Sequence, residues 1–576
     1  MNSLTRCRGT WLCAALIVFG VGCTANHYRK SADKEVYKAI GQNTPAVPNM
    51  DTNFTIEQTN VLSLEGLPVT TNVFDFLGPD AEREVGAHVL SLEEALLIAV
   101  RHNRAYQSRK EQLYITALNL TLARYRFRPI FTGGGRARII GQTEQAISVV
   151  VDPVTQQPKV LLSDNVIEQR RVAADGFLSV SWLIRDIGLI TASVSADFLR
   201  YVTGDPRALT SSQAGATLSR PLLRNAGYKQ QIEQLTQAER DLLYDLRAFT
   251  QFRKTFSVQV ASAYYGVLGI RDTVRNNHLN VLSSRLNAER SRELAREGRI
   301  TQADLGRLEQ QVLTTESDWN NALRAYKQAL DNFKLLQLGI AVDTRIALDE
   351  AEFRALEIRD LQIQPDDAVQ IGLAARLDYL NAKDRYQDSV RKVDVTANAL
   401  KPQLDLVSAV GIRSPPDQSS GFPVPDINRY NWSAGLNVDL PFDRQAERNS
   451  YRAALIAEKQ AVRALEQQAD EIKLDVRESW RTLDQAKRNF EISQLGVQLA
   501  ERRVEEQNLL AEVGRANAQN QVDAQNDLIR SKNQITQALV SHTIARLQFW
   551  ANTGILYIKD NGQWRELKDG DAQPTP

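Results

Sequence analysis

Hydrophobic and polar positions recur along this chain with two different periods. Between Pro402 and Pro441 the period is two. Trp432, Ala434, Leu436, Val438 and Leu440 share one face, and Asn431, Ser433, Gly435, Asn437 and Asp439 share the other. An apolar face backed by a polar one over about 9–11 residues is the pattern of a membrane-spanning β-strand. Leu404, Leu406, Val410 and Ile412 predict a second strand, and the Pro-, Gly- and Ser-rich stretch Arg413–Arg429 between them predicts an exposed loop. The same alternation runs through Ile190, Ala192, Val194, Ala196 and Phe198, and through Leu178, Val180, Trp182 and Ile184. Alternation alone is also compatible with a soluble β-sandwich that has one wet face.

Elsewhere the period is helical. Residues 228–297 form a proline-free stretch of 70 positions, and a helix of that length would span ~105 Å. No globular domain buries such an element, whereas a coiled-coil tube can. After a turn at Gly298-Arg299 a heptad seam is explicit. Leu305, Val312, Trp319, Tyr326 and Phe333 occupy position a, and Leu308, Thr315, Ala322, Ala329 and Leu336 position d. A weaker seam follows with Leu528, Ile535, His542 and Phe549 at a, and Ala524, Ser531, Ala538 and Ala545 at d. His542 reads there as a packed seam residue, with a ligand as the other reading.

These elements occur twice. Ala95–Pro129 and Ala368–Pro402 both run 34 positions from Ala to Pro, both are helix-like, and each proline opens an alternating stretch. Pro221-Leu222-Leu223-Arg224 matches Pro441-Phe442-Asp443-Arg444, and Gly298-Arg299 matches Gly514-Arg515, 77 and 73 residues after the respective prolines. Each unit therefore reads helix, strands, very long helix, glycine turn, helix. A sandwich does not explain why strands interrupt two ~100 Å helical hairpins at matching places.

The expected organisation is residues 1–22 as a signal peptide, 23–90 as an N-terminal extension, 91–340 as the first repeat, 341–365 as a linker, 366–556 as the second repeat and 557–576 as a tail. The first repeat holds strands within 130–221, a long helix over 228–297 and a helix over 303–338. The second holds strands within 403–440, a long helix over 444–513 and a helix over 519–551.

Composition narrows the function. The chain has 576 residues, with Lys+Arg 70 against Asp+Glu 69, so no net charge attracts nucleic acid. Mean hydropathy is −0.35, and no apolar run beyond the N-terminus is long enough for a spanning helix. The five histidines are scattered without ligand spacing, and neither a nucleophile elbow nor a phosphate loop is present. The expectation is therefore not an enzyme, with no cofactor and no metal. All three cysteines, Cys7, Cys13 and Cys23, fall within the first 23 residues. Arg6 and Arg8 make a basic start, Trp11–Phe19 a short apolar segment, and Gly20-Val21-Gly22-Cys23 resembles the cleavage site of a bacterial lipoprotein. An ordinary signal peptide with an incidental cysteine is the other reading.

The duplicated order, the two Pro–strand junctions and the segments Ser91-Leu92-Glu93-Glu94-Ala95, Ser219–Gly227, Glu297–Leu305 and Glu512–Gln525 resemble the TolC-type outer-membrane efflux channels. The resemblance covers roughly Leu90–Tyr557. It implies an α+β membrane protein: a homotrimer whose strands form one shared outer-membrane β-barrel, continuous with a long periplasmic α-helical coiled-coil barrel built from two internal repeats. It implies a lipid anchor on Cys23, and Thr24 after it implies sorting to the outer membrane. It also implies partners: a periplasmic adaptor protein, an inner-membrane transporter of the RND or ABC type, and outer-membrane lipid. Gly298, Arg299, Ile300 and Thr301, with Gly514, Arg515, Ala516 and Asn517, match the adaptor-contacting tip turns. Asp304 and Asp523 lie where the family builds a periplasmic gate, although Asn520 replaces a second acid. A ring of three inward aspartates would favour cations. The competing reading of both is a charge that complements a helix N-terminus. A non-conducting coiled-coil lipoprotein of the periplasm is the alternative function. Small-molecule efflux and protein secretion are not separated by the sequence.

The number of strands is an expectation of its own. The chain leaves the periplasmic side at Pro129 and returns by Pro221, so crossings come in even number. Four are expected in the first repeat, near Ile130–Gly141, Gly176–Ile184, Leu189–Arg200 and Ala214–Pro221, with outer loops at Gln142–Asp175 and Tyr201–Gln213. Two more come from Gln403–Ile412 and Tyr430–Leu440. That makes six per chain against the family's usual four, and about eighteen in a trimer. The competing arrangement keeps four and sets Gly176–Arg200 apart as a hairpin above the membrane or inside the lumen.

Mass spectrometry of the mature N-terminus is expected to show acylated Cys23. Cys23→Ala should impair sorting more than folded stability; an unmodified N-terminus at Thr24 would overturn the lipoprotein reading.

Overall fold

The computed structural model describes residues 24–57, 64–151, 153, 156–203, 208–360, 363–415, 423–512, 515 and 517–565; Cys23, Gly514 and Ala516 lie outside them. In chain order the elements are α1 (Ala25–Asn43), β1 (His88–Leu90), α2 (Leu92–His102), α3 (Arg104–Tyr125), β2 (Ile130–Val151), β3 (Pro158–Ile184), β4 (Gly188–Tyr201), β5 (Ala208–Pro221), α4 (Glu233–Arg296), α5 (Gln302–Asn332), β6 (Ile346–Leu348), α6 (Pro365–Ala375), α7 (Leu377–Ala399), β7 (Gln403–Arg413), β8 (Asp426–Asp439), α8 (Gln445–Glu512) and α9 (Ala518–Asn552). They fall into two units. One is drawn from Met1–Ala117, Asp241–Arg385 and Ala461–Pro576, and the other is Leu118–Arg240 with Tyr386–Gln460.

In the helical unit the expected seam forms in part: Leu305, Val312 and Trp319 are half-buried, and Leu323 and Leu330 are buried in place of Ala322 and Ala329. Leu308, Thr315, Tyr326 and Phe333 are buried. Leu336, expected at position d, is exposed. The last turn, Phe333–Leu338, opens into a π-helix. Its wider turn shifts the inward positions, so that Lys334 and Leu338 are buried instead. On α9, Leu528, His542, Phe549, Ala524, Ala538 and Ala545 are all buried. His542 is thus a packed residue, and burial lowers its pKa.

The segments read as single helices over Ala95–Pro129 and Ala368–Pro402 are each two. Asn103 ends α2, its Oδ1 accepts from the Tyr106 amide at 3.0 Å, and its Nδ2 donates to the Leu336 and Gln337 carbonyls at 2.8 and 2.9 Å. A mid-helix Asn that caps one helix and ties down the end of another breaks the run. Arg376 holds the matching place between α6 and α7 and pairs with Asp378 at 2.6 Å and Asp475 at 2.9 Å. The long helix expected over 228–297 begins with a separate turn, Tyr228–Gln231, before α4.

The N-terminal extension, whose role the sequence left open, packs along this unit. Val36, Ala39 and Ile40 bury one face of α1, and Tyr114 Oη donates to Asp33 at 2.6 Å. Asn49 exchanges two hydrogen bonds with the backbone of Ile558, and Arg253 donates to the carbonyls of Asn49 and Lys559. N-terminal and C-terminal segments are thereby tied to α4. Trp319 Nε1 donates to the Phe76 carbonyl at 2.8 Å. β1 pairs in parallel with β6, from the linker after α5.

The tightest tie is Arg271 of α4, only 3% exposed. It donates to Glu84 at 2.8 Å, to Glu350 at 2.9 Å and to Tyr326 Oη at 2.8 Å, and its guanidinium stacks over Phe74 and Phe76. Burial works against its charge, and Tyr326, Glu84 and Glu350 outweigh that, so its pKa stands above the ordinary arginine value.

The second unit carries a six-stranded antiparallel sheet in the order β2-β3-β4-β5-β7-β8. The sheet has the expected number of strands, six, and the Gly176–Arg200 segment supplies part of two of them. Two loop expectations fail. Within Tyr201–Gln213, the segment from Ala208 on is already strand β5, paired with β4. Gln142–Asp175 is not a loop: β2 and β3 stay paired to Val151 and Pro158. The tight turn between β3 and β4 needs Gly188, at φ +127°, where a Cβ would sit 2.2 Å from the Ser219 carbonyl oxygen.

Removing one partner of a buried ion pair costs roughly 3–5 kcal/mol. Arg271→Ala should therefore lower the unfolding midpoint of the helical unit and expose residues 64–90 to protease. Arg271→Lys, which keeps the charge but not the fork, should fall between. Unchanged protease resistance in the alanine variant would overturn the role given to this tie.

Candidate functional site

Directly opposed residues of an antiparallel pair point to the same face, so the register sorts the sheet into rows. One row reads Phe131–Val180–Ala192–Ala216–Val410–Trp432 and another Gly133–Leu178–Val194–Ala214–Ile412–Tyr430. Every strand contributes an apolar or glycine residue to each row, apart from the phenol of Tyr430. Between them, facing the other way, runs Thr132–Ser179–Ser193–Gly215–Gly411–Asn431. The Thr132 and Ser179 hydroxyls bond at 2.6 Å across two strands. Phe131 is 79% exposed, Leu178 70% and Trp432 72%. Large apolar side chains this open, lined up across six strands, form a face that water does not suit. Val194 lies within it, and Phe198 sits on the same face, opposite Ala174 and Thr210.

The polar face is not uniform: the row beside the central one, Gly134–Phe177–Ser195–Gln213–Arg413, carries a phenyl ring and a guanidinium. Arg136, Asp175 and Asp197 share a row toward the loop end, with Arg136 Nε donating to Asp175 at 3.1 Å. Asp405 and Asp439 stand at the end joined to helices, opposite Asn437 and Gln403. Among the described residues β2 pairs only with β3, and β8 only with β7, so each presents a free edge. No described helix is long and apolar enough to cross a membrane.

The helix turns make the second set of sites. Gly298, at φ +73°, closes α4. Its amide bonds the Ala295 carbonyl, and that of Arg299 bonds Leu294, the paired closure that favours glycine. Ile300 follows, and Thr301 caps α5, its Oγ accepting from the Asp304 amide at 3.1 Å and donating to the Asp304 carboxylate at 2.7 Å. At the other turn the Arg515 amide bonds Leu510, and Asn517 Oδ1 accepts from the Gln519 amide at 2.9 Å. In both turns an arginine amide bonds a leucine carbonyl five residues back, and a side chain caps the helix that follows.

The two aspartates differ. Asp304 lies in the first turn of α5 and is engaged in its cap, as the helix-terminus reading has it. Asp523 lies in the second turn of α9, outside the cap, and accepts from Gln519 Nε2 at 3.0 Å. Ala288, Leu308 and Ala518 pack together near these turns, with Val312 and Val522 against them. Further along, polar pairs that the heptad reading missed join the helices: Arg503 to Asp527, Asn276 to Asn533 at 2.9 Å, and Thr536 to Asp272 at 2.6 Å. Their signal in the sequence, Asn, Thr and Asp on seam-flanking positions, is too common to single out. No group of three His, Cys, Asp or Glu side chains that could hold a metal occurs among the described residues.

No sequence-family profile matches the chain, and no curated protein matches it by sequence. Its fold is nonetheless that of TolC-type outer-membrane channels. It is similar to the outer-membrane channel OprN, with a TM-score of 0.56 and 13% identity over 89% of this chain and 97% of that one. It is similar to the CmeC outer-membrane channel of Campylobacter jejuni, with a TM-score of 0.56 and 12% identity over 88% and 94%. It is also similar to the outer-membrane protein VceC of Vibrio cholerae, with a TM-score of 0.57 and 11% identity over 80% and 96%.

A β-branched residue in left-handed backbone costs roughly 1–2 kcal/mol, and loss of an N-cap about 1 kcal/mol. Gly298→Val and Thr301→Ala should each speed hydrogen exchange at residues 294–306 while leaving the sheet protected. Exchange unchanged in both variants would show that neither residue fixes this turn.

Proposed function

We propose that this chain is the subunit of an outer-membrane export channel, anchored by lipid at Cys23 and assembled as a homotrimer. The carrying observation is the six-stranded sheet. It has one apolar face, one polar face and two free edges. In hydrocarbon an unpaired backbone edge costs several kcal/mol per group, so spanning sheets close on themselves. On this reading β8 of one copy pairs with β2 of the next, and three copies close about eighteen strands around the polar face.

The helices support assembly as well. Leu279, Leu282 and Leu286 of α4 are exposed at helical spacing, and so are Ile492, Leu495 and Leu499 of α8. Stripes of this kind suit packing against other copies. The likeness to the channels OprN and CmeC supports the same role. The turns at Gly298–Thr301 and Gly514–Asn517 would meet a periplasmic adaptor, which joins the channel to an inner-membrane transporter of the RND or ABC type. Asp523, outside the cap, is the better placed of the two aspartates to act as a gate. The reading involves no enzymatic step.

Purified protein in planar bilayers should conduct, and native mass spectrometry in detergent should give the mass of three chains. Asp523→Asn should raise conductance or reduce cation preference. Folded, membrane-inserted protein without conductance would select the non-conducting coiled-coil lipoprotein instead.

A further inference from the structure

The apolar face of the sheet ends in arginines. Alternate residues of a strand share a face. Arg200, two positions beyond Phe198 on β4, therefore belongs to this face, and so does Arg170, two positions beyond Val172 on β3. At the helix end Arg220 of β5 takes the same side, in line with Leu406 and Leu436. Between these limits the paired rows place no Asp, Glu, Lys or Arg on this face of any of the six strands. All three arginines are exposed. Their spacing is that of a bilayer. Arg220 stands beside Gly188, one step before the Leu189–Ser219 pair. From 188 to 200 a strand advances about 40 Å, or ~30 Å along the membrane normal at a tilt of about 40°. The lipid-facing band of a spanning barrel is about 25 Å tall, and charge on that face is tolerated only toward its ends. The arginines thus fall at the level of the headgroups.

Resting on the outer-membrane channel reading, we infer that Arg170 and Arg200 form a binding site for the phosphorylated glycolipid of the outer leaflet. The Arg171–Tyr201 pair sets Val202 beside Arg170 and makes Arg200 its diagonal neighbour, about 7 Å away. Two guanidiniums at that spacing can share one phosphate, each offering a fork of N–H donors. Arg170 Nε donates to Glu168 at 2.8 Å, and no acid among the described residues pairs with Arg200. Two cations against one carboxylate leave the pair positive. Below it the face is apolar. Ile139 shares the row of Arg200 and is 79% exposed, and Phe198 lies in the next row toward the helices. A headgroup held by the arginines would lay its acyl chains on these residues, which is why the occupant is a lipid and not free phosphate. Both arginines come from adjacent strands of one chain, so each copy in a trimer carries a complete site.

The test titrates the full mature protein in detergent with bisphosphorylated lipid A and with the same lipid dephosphorylated, and reads bound lipid by native mass spectrometry. The parent should hold the phosphorylated form about tenfold more tightly. Arg170→Gln with Arg200→Gln should remove that preference, and Arg220→Gln, at the opposite end of the band, should keep it. Arg170→Lys with Arg200→Lys, for the case in which the Gln pair fails to fold, should keep part of it. Inorganic phosphate at the same concentration as the lipid should not displace it. Equal binding of the two lipids by the parent, an unchanged preference in the Gln pair, or displacement by inorganic phosphate overturns the lipid site. Conductance of the parent in planar bilayers, measured alongside, separates the two readings. A conducting parent without phosphate preference leaves the channel standing and removes the site, whereas a parent that does not insert removes both.

Discussion

A β-sheet with one apolar face has somewhere to put that face only if its edges are also satisfied. Alternate residues of β2 and β8 turn backbone groups outward that no described neighbour meets. In water those groups are solvated at little cost. In lipid they cannot be, and the cost of several kcal/mol per group multiplies along the edge. The apolar rows that make the sheet suited to hydrocarbon are thus the same feature that makes a single copy unsuited to it. On the channel reading, assembly, lumen and export all follow from this one constraint.

The helical unit solves a different problem. Long helices with mixed seams carry too few large apolar residues to fix their register by packing alone, as the alternation of Thr315, Ala322 and Ala329 with Tyr326 and Phe333 shows. The structure adds polar ties at discrete points. Asn103 fastens the start of α3 to the end of the π-turn. Arg271 fastens α4 to the N-terminal extension and to the linker at once. Such ties are worth little for stability when compared with apolar packing, but they are costly to leave half-made, and so they select one arrangement among many similar ones.

What could be read from the sequence follows the same division. The strands through the apolar rows were legible because lipid-like and water-like faces force a strict period of two, as from Ile190 to Phe198. Beyond those rows the alternation lapses, and the paired segments within 142–151 and 158–175 looked like a loop. The break at Asn103 carried a signal, an N-cap residue inside a helical run, that the length of the run obscured. The N-terminal extension was illegible for another reason. Its contacts come from single residues at irregular spacing, Phe54, Phe76 and Glu84 among them, and their partners lie hundreds of positions away. The turn residues Gly298 and Thr301 were legible because a helix reversal demands positive φ and a cap. The two aspartates beside the turns looked equivalent in sequence and differ only in which helical turn they occupy.

The lining of the sheet closes the argument about what the strands are for. Glycine and serine are poor strand formers, because they add backbone entropy or compete for hydrogen bonds without packing against a neighbour. Gly134 stands on this face of β2, and Gly215 faces Gly411 across β5 and β7. A sheet under pressure for stability alone would fill these positions with valine or threonine. Their stability is supplied instead by the ladders on either side and by the bulky rows on the opposite face. On the channel reading, the small residues in the middle of this face limit the side-chain volume set in front of it.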